Sequence, residues 1–328
     1  MAIKAVQQIM LGTVTGSEAK AKETLQAMVN AGYNGIELNS FMVNPTPFMV
    51  RMLTMAAGMP TGKGGNLDWA KLVREAELSV VSLHKDLGGI ERETAETVRE
   101  AEKYNTTNIV ITGMYRFDYR DKTQVTDLCK RLNEAGKKLK AEGISLLYHN
   151  HNYEFQKVDG RQNAYEYIIA NTDPEYVGFE FDSYWPTEAG VYALDVMKML
   201  GSRMKLYHIN DRGTKLTKPM MTPILKSDSC ELGYGNMNLE ALCGQALSAG
   251  VEAVVLESHK NWIDKSPVKS FEASAKFLNE QKAVCRGSGG CRGCGSSGGH
   301  AGEIERSLTY TYRRGDSYHS CSVLSGNQ

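Results

Sequence analysis

Leu146-Leu147-Tyr148-His149-Asn150-His151-Asn152-Tyr153-Glu154-Phe155 starts as an apolar run and passes, with no linker, into two histidines, two asparagines and a carboxylate. Together with Ile144 and Ser145 the first half has the composition of a buried strand. The second half is dense in side chains that bind metals or move protons. A strand that ends in such a cluster is what a parallel α/β barrel presents at its carboxyl-terminal mouth. The same unit recurs on both sides of this stretch.

Upstream, Val6–Leu11, Gly35–Leu38, Leu78–Leu83 and Asn108–Thr112 read as strands; downstream, Val177–Asp182, Lys205–His208 and Ala253–Glu257 do. Helical patterns lie between them at 18–30, 67–77, 91–104, 123–142, 162–171, 191–200, 239–249 and 268–281. Gly32 and Gly143 stand where C-cap glycines are expected. Eight alternating βα units predict a (β/α)8 TIM barrel over residues 1–281. No Gly-x-Gly-x-x-Gly opens a helix after a strand, which argues against a dinucleotide-binding fold. The connection from Phe41 to Trp69 is long, and Met42, Met49, Met52, Met55 and Met59 crowd it ahead of Gly62-Lys63-Gly64-Gly65. It reads either as core filling or as an adaptable apolar lid.

Beyond Gln281 the apolar period stops. Residues 282–328, a Gly/Ser/Cys-containing segment, read as a flexible, disordered tail without a chemical role. Its Cys285, Cys291, Cys294, His300, His319 and Cys321 lack a regular zinc-site spacing. Lys plus Arg and Asp plus Glu both total 38, so net charge draws the chain to neither nucleic acid nor an anionic membrane. The amino-terminal residues lack a signal-peptide core and no segment is long enough to span a bilayer, so a cytoplasmic location is expected. The cysteines are too scattered for a disulfide scaffold, and Cys129, Cys230 and Cys243 read as reduced thiols.

Side chains alternate along a strand, so His149 and His151 share a face, as do Glu180 and Asp182. Asp182, His208 and Glu257 each end a different strand. With one ligand from the opening stretch they make a mixed nitrogen and oxygen set. Such a set suits a divalent ion, Mn²⁺ first and Co²⁺, Mg²⁺ or Zn²⁺ as alternatives. Any one of these residues alone reads as a hydrogen-bonded polar group of the barrel. Five histidines at strand ends, His84, His149, His151, His208 and His259, point together to a site.

The motifs Gly-Ile-Glu-Leu, Tyr-His-Asn-His-x-Tyr-Glu-Phe, Phe-Asp-Ser-Tyr-Trp, Tyr-His-Ile-Asn-Asp and Val-Leu-Glu-Ser-His resemble the xylose-isomerase-like sugar phosphate isomerase/epimerase superfamily. That group includes ketose 3-epimerases, inosose dehydratases and endonuclease IV. The resemblance covers residues 1–281 and implies a metal held by Glu, Asp, His and Glu from successive late strands. Asp182, His208 and Glu257 match the last three positions. Glu154 supplies the first carboxylate, with His149, which stands at that position by a plain count, as the alternative.

The resemblance also implies proton abstraction beside a carbonyl of a sugar or sugar derivative, through an enediolate. His151 or Glu154 is then the base and His149 or His259 a partner acid. His84, Lys85, Trp185 and Asn210 would contact substrate, and Glu37 would bond sugar hydroxyls. Gln8–Thr15, the Met-rich segment and Ser258-His259-Lys260-Asn261-Trp262 are similar to the catalytic subunits of bacterial C-glycoside deglycosidases. This second resemblance implies a 3-keto C- or O-glycoside cleaved by β-elimination, and a small partner subunit. An oligomer is expected. Two readings of other classes stand beside these: an apurinic-endonuclease-like DNA repair enzyme, and a non-catalytic sugar-binding subunit.

Overall fold

The computed structural model describes residues 2–45, 52, 67–214 and 226–287, with side chains to residue 281, and the backbone of a strand pair further on. The chain divides into two units, Met1–Arg286 and Gly287–Gln328. Of the methionine-rich segment, read as core filling or as a lid, Met49, Met55, Met59 and the joint at 62–65 lie outside the described residues.

Within the first unit eight strands close a parallel barrel. They are β1 (Ile3–Gln7), β2 (Gly35–Asn39), β3 (Ser79–Lys85), β4 (Asn108–Ile111), β5 (Ser145–His149), β6 (Val177–Asp182), β7 (Met204–Ile209) and, after a long loop, β10 (Ala253–Leu256). β1 closes the ring by pairing with both β10 and β2. This is the (β/α)8 TIM barrel expected from the alternation of strand and helix patterns. Helices such as Glu18–Ala31, Lys122–Ala141 and Leu239–Ala249 surround it. None among the described residues is long and apolar enough to cross a membrane.

The barrel interior is sorted by depth. Ala5, Val81, Val110, Leu147, Leu206, Ala253 and Val255 fill its lower part with apolar side chains. Two residues further along the same strands, the inward positions become Gln7, His149, His208 and Glu257. Register aligns them: His149 lies beside Glu180, Asp182 beside His208, and His208 beside Val255. The larger core packs the outward faces of the strands against the helices, with Tyr148, Phe179, Phe181 and Tyr207 in it. Fully burying each of these aromatics contributes a few kcal/mol of hydrophobic stabilisation.

Two local features differ from the sequence reading. The first strand ends at Gln7, and Gln8–Leu11 turns into a 3-10 helix because the Gln7 side chain accepts the Ile9 N–H at 2.5 Å. The loop after β7 holds a short antiparallel pair, β8 (Asp211–Gly213) and β9 (Asp228–Cys230). Three-residue strands carry too little period to be read. Asp211 fixes this loop by accepting the backbone N–H groups of Gly233, Gly235 and Met237 at 3.0, 2.9 and 3.2 Å. The second unit carries β11 (Thr309–Arg314) paired antiparallel with β12 (Ser317–Ser322).

One glycine shows how tightly a helix seats on the barrel. A Cβ at Gly136 would lie 2.2 Å from the Tyr176 carbonyl oxygen and 2.9 Å from its carbon. Backbone on both sides cannot yield cheaply, so Gly136→Ala is expected to destabilise the fold by about 2 kcal/mol. Denaturant unfolding measures this; an unchanged midpoint would show that the helix does not approach so closely.

Candidate active site

The carboxyl-terminal mouth opens into a cavity of about 460 Å³ whose lining includes Gln7, Asn39, His84, His149, His151, Glu154, Glu257 and His259. Every barrel strand reaches this end with a polar residue because the apolar inward positions stop one pleat below.

At its base His149, Asp182, His208 and Glu257 each offer a ligand atom, and these atoms lie within 4.8 Å of one another. All four are buried. His208 Nδ1 is 3.1 Å from Glu257 and 4.0 Å from Asp182. Burial pushes the Asp182 carboxyl up to about 8; the Glu257 carboxylate adds to that push and His208 opposes it. Two buried carboxylates joined by two imidazoles and no thiolate form a donor set that fits a divalent cation.

Glu154 is not part of this cluster. It sits on a 3-10 turn, Tyr153–Phe155, which folds its side chain back. Its carboxylate accepts the Tyr148 hydroxyl and the His151 backbone N–H, each at 3.0 Å. The Tyr148 oxygen lies 2.8 Å from that of Tyr119. Burial pushes Glu154 up to about 7, with its hydrogen bonds opposing. Of the two alternatives for strand five, it is His149 that the structure brings together with Asp182, His208 and Glu257.

A second cluster lies deeper: Glu37, His84, Glu180 and, shared with the first, His208. Glu37 and Glu180 are 0% exposed. Glu37 bonds Ser82 and, at 2.6 Å, His208 Nε2. That engages both of its oxygens, and Glu37, expected to bond sugar hydroxyls, is not among the residues that line the cavity. His84 Nε2 is 3.1 Å from Glu37 and 3.0 Å from Glu180, at angles that make ion pairs and no hydrogen bonds. Burial pulls the His84 imidazole down, yet the two carboxylates outweigh it and raise it to about 10.

The family model of the xylose isomerase-like TIM barrel matches residues 25–281. The chain belongs to that family. An inosose dehydratase of Mesomycoplasma hyopneumoniae is 26% identical over 209 residues, 60% of this chain and 64% of that protein. The alignment thus leaves over a third of that relative's length unmatched. Among solved structures, a sugar phosphate isomerase/epimerase from Parabacteroides distasonis matches with a TM-score of 0.65 at 21% identity, over 86% of this chain and 94% of its own. A protein designated IOLI, solved with a zinc atom, matches with a TM-score of 0.57 at 14% identity, over 87% and 99%.

In this xylose isomerase-like barrel His151 and His259 line the cavity, and their ring centroids lie 5.5 and 6.2 Å from that of Trp185. His151 is pulled down to about 3 by burial and by neighbouring His149, which keeps its ring neutral. His259 is 3.6 Å from Glu257. Two expected substrate contacts fall elsewhere. Lys85 pairs with Glu100, which Ser40 and Asn44 also bond, and so ties the end of β3 to the segment after β2. Asn210 is buried against Ser229 and the Asp211 backbone. Glu180, Gln7 and Asn39 were not singled out from sequence. Gln7 and Asn39 pair through their amides at 3.0 Å on the cavity wall; their signal was an inward polar residue ending β1 and β2.

Proposed function

We propose that the chain is a divalent-metal-dependent enzyme that abstracts a proton beside a carbonyl of a sugar or sugar derivative. The observation that carries this reading is the convergence of His149, Asp182, His208 and Glu257 at the base of a cavity that His151 and His259 also line. These four residues would hold the ion. When bound, it supplies Lewis-acid stabilisation of the charge that develops on the ketone oxygen, several kcal/mol in such sites.

The chain's own side chains do the rest. His151, half-buried and neutral on the cavity wall, takes the proton as general base. Glu154 holds the His151 backbone through its N–H and so fixes where the ring stands. His259, partly exposed across Trp185, returns a proton or protonates a leaving group. The Gln7–Asn39 pair shapes the wall against which a polyol sits, and Trp185 stands next to the His151 and His259 rings. Return of the proton gives epimerisation or isomerisation; loss of a β-substituent gives dehydration, the reaction that the inosose dehydratase relative is named for.

The mouth favours a second reading. Tyr115 and Tyr153 are 74% and 64% exposed there, beside Phe41, Met114 and Phe117. An apolar, aromatic rim suits a substrate bearing an aryl group, as in β-elimination from a 3-keto glycoside. Both readings are tested by one screen. Ketoses, inososes and 3-keto O- and C-glycosides are incubated in D₂O with Zn²⁺, Mn²⁺ or Mg²⁺ in separate arms. Deuterium at one carbon with no bond broken is the isomerase/epimerase result, and release of water or an aglycone the lyase result. Turnover equal with and without chelator would contradict metal dependence.

A further inference from the structure

Glu37 and Glu180 of the deeper cluster have no role in the steps above, yet their geometry is organised around the metal set. β2 and β6 stand opposite each other in the ring, as do β3 and β7. Glu37 and Glu180 therefore face across the barrel, and His84 and His208 close the square between them. Both carboxylates contact both imidazoles at 3.2 Å or less. Glu180 also contacts His149 Nδ1 at 2.9 Å.

We propose that Glu37 and Glu180 are positioning residues, each fixing which ring nitrogen of a metal-set histidine is offered to the ion. The inference rests on the metal reading above. Glu37 accepts from His208 Nε2, which leaves Nδ1, the nitrogen 3.1 Å from Glu257. Glu180 accepts from His149 Nδ1, which leaves Nε2. A carboxylate behind each imidazole sets its tautomer and ring orientation and strengthens it as a ligand. His84 spans the two carboxylates, and the Ser82 hydroxyl bonds the second oxygen of Glu37. Glu180 Oε1 has no hydrogen-bond partner among the described residues. Glu180 is thus held by its imidazole contacts, and its place depends on the rings it orients.

The two tiers also differ in access. Of the upper set, His149 and Glu257 line the cavity; of Glu37, His84 and Glu180 only His84 does.

The test uses the full chain and E37A, E180A and the size-conserving E37Q and E180Q. Zn²⁺ and Mn²⁺ affinity is read by competition with a chromophoric chelator, alongside the melting temperature of the metal-free protein. The alanine variants are expected to bind about 10- to 100-fold more weakly. The glutamine variants, whose amide oxygen still accepts from the ring N–H, should recover part of that loss. In NMR spectra of the metal-free protein, two downfield imidazole N–H signals are expected, one lost in E37A and the other in E180A.

Affinities within twofold of the parent, with only the melting temperature changed, would overturn the inference. So would ring N–H signals that persist in both alanine variants. A second ion per chain that vanishes in E37A would also overturn it, since the lower tier would then be a ligand set itself. If the parent chain binds no divalent ion, the metal reading fails by itself, and the NMR signals still decide whether the carboxylates orient the rings.

Discussion

Asp182→Asn is expected to lower turnover by about a thousandfold and to abolish tight divalent-ion binding together with it. The substitution keeps size and removes one of two buried carboxyl groups that face the same point and would ionise on the ion. Lewis-acid stabilisation of several kcal/mol is at stake, and about 4 kcal/mol corresponds to a thousandfold in rate. The Tyr184 N–H bond to Asp182 at 2.7 Å can be kept by the amide oxygen, so the fold should stay intact. Turnover and metal content measured on the same preparation check this. A variant that keeps full turnover after losing its metal would remove the ion from the mechanism.

His151→Asn should act differently. A general base is worth about 100- to 10,000-fold in kcat, and the Asn variant should fall within that range while binding metal as the parent does. Solvent-deuterium exchange into substrate should fall by the same factor, because the lost step is proton transfer. If exchange is unchanged and only KM rises, His151 is a binding residue, and His259 becomes the base to test. The pair of variants thus separates the ion from the proton, which one substitution alone does not.

The barrel was legible because each of its strands ends an apolar run with a polar residue, and β6 shows why. Val177–Asp182 alternates Val, Phe and Phe outward with Gly, Glu and Asp inward, and those bounds are the observed ones. Asp182, His208 and Glu257 were legible for the same reason, as the last inward positions of three strands.

Depth was not legible. Glu37 ends a short run much as His208 does, yet it faces the barrel centre one tier below the cavity; only the ring's closure shows which residues meet across it. Glu180 shares the face of Asp182, and nothing along the strand itself sets their depths apart. The choice between His149 and Glu154 turned on a three-residue turn, too short to leave a periodic signal. Lys85 and Asn210 look like site residues in the strand pattern. Their side chains are instead spent on Glu100 and Ser229, partners distant in sequence.

The most direct test is an anomalous-scattering map from crystals soaked in Mn²⁺ or Zn²⁺. The account predicts a single peak at the base of the cavity, bonded to His149 Nε2, Asp182, His208 Nδ1 and Glu257. A peak bonded to Glu154, or an empty site at saturating metal, would contradict it.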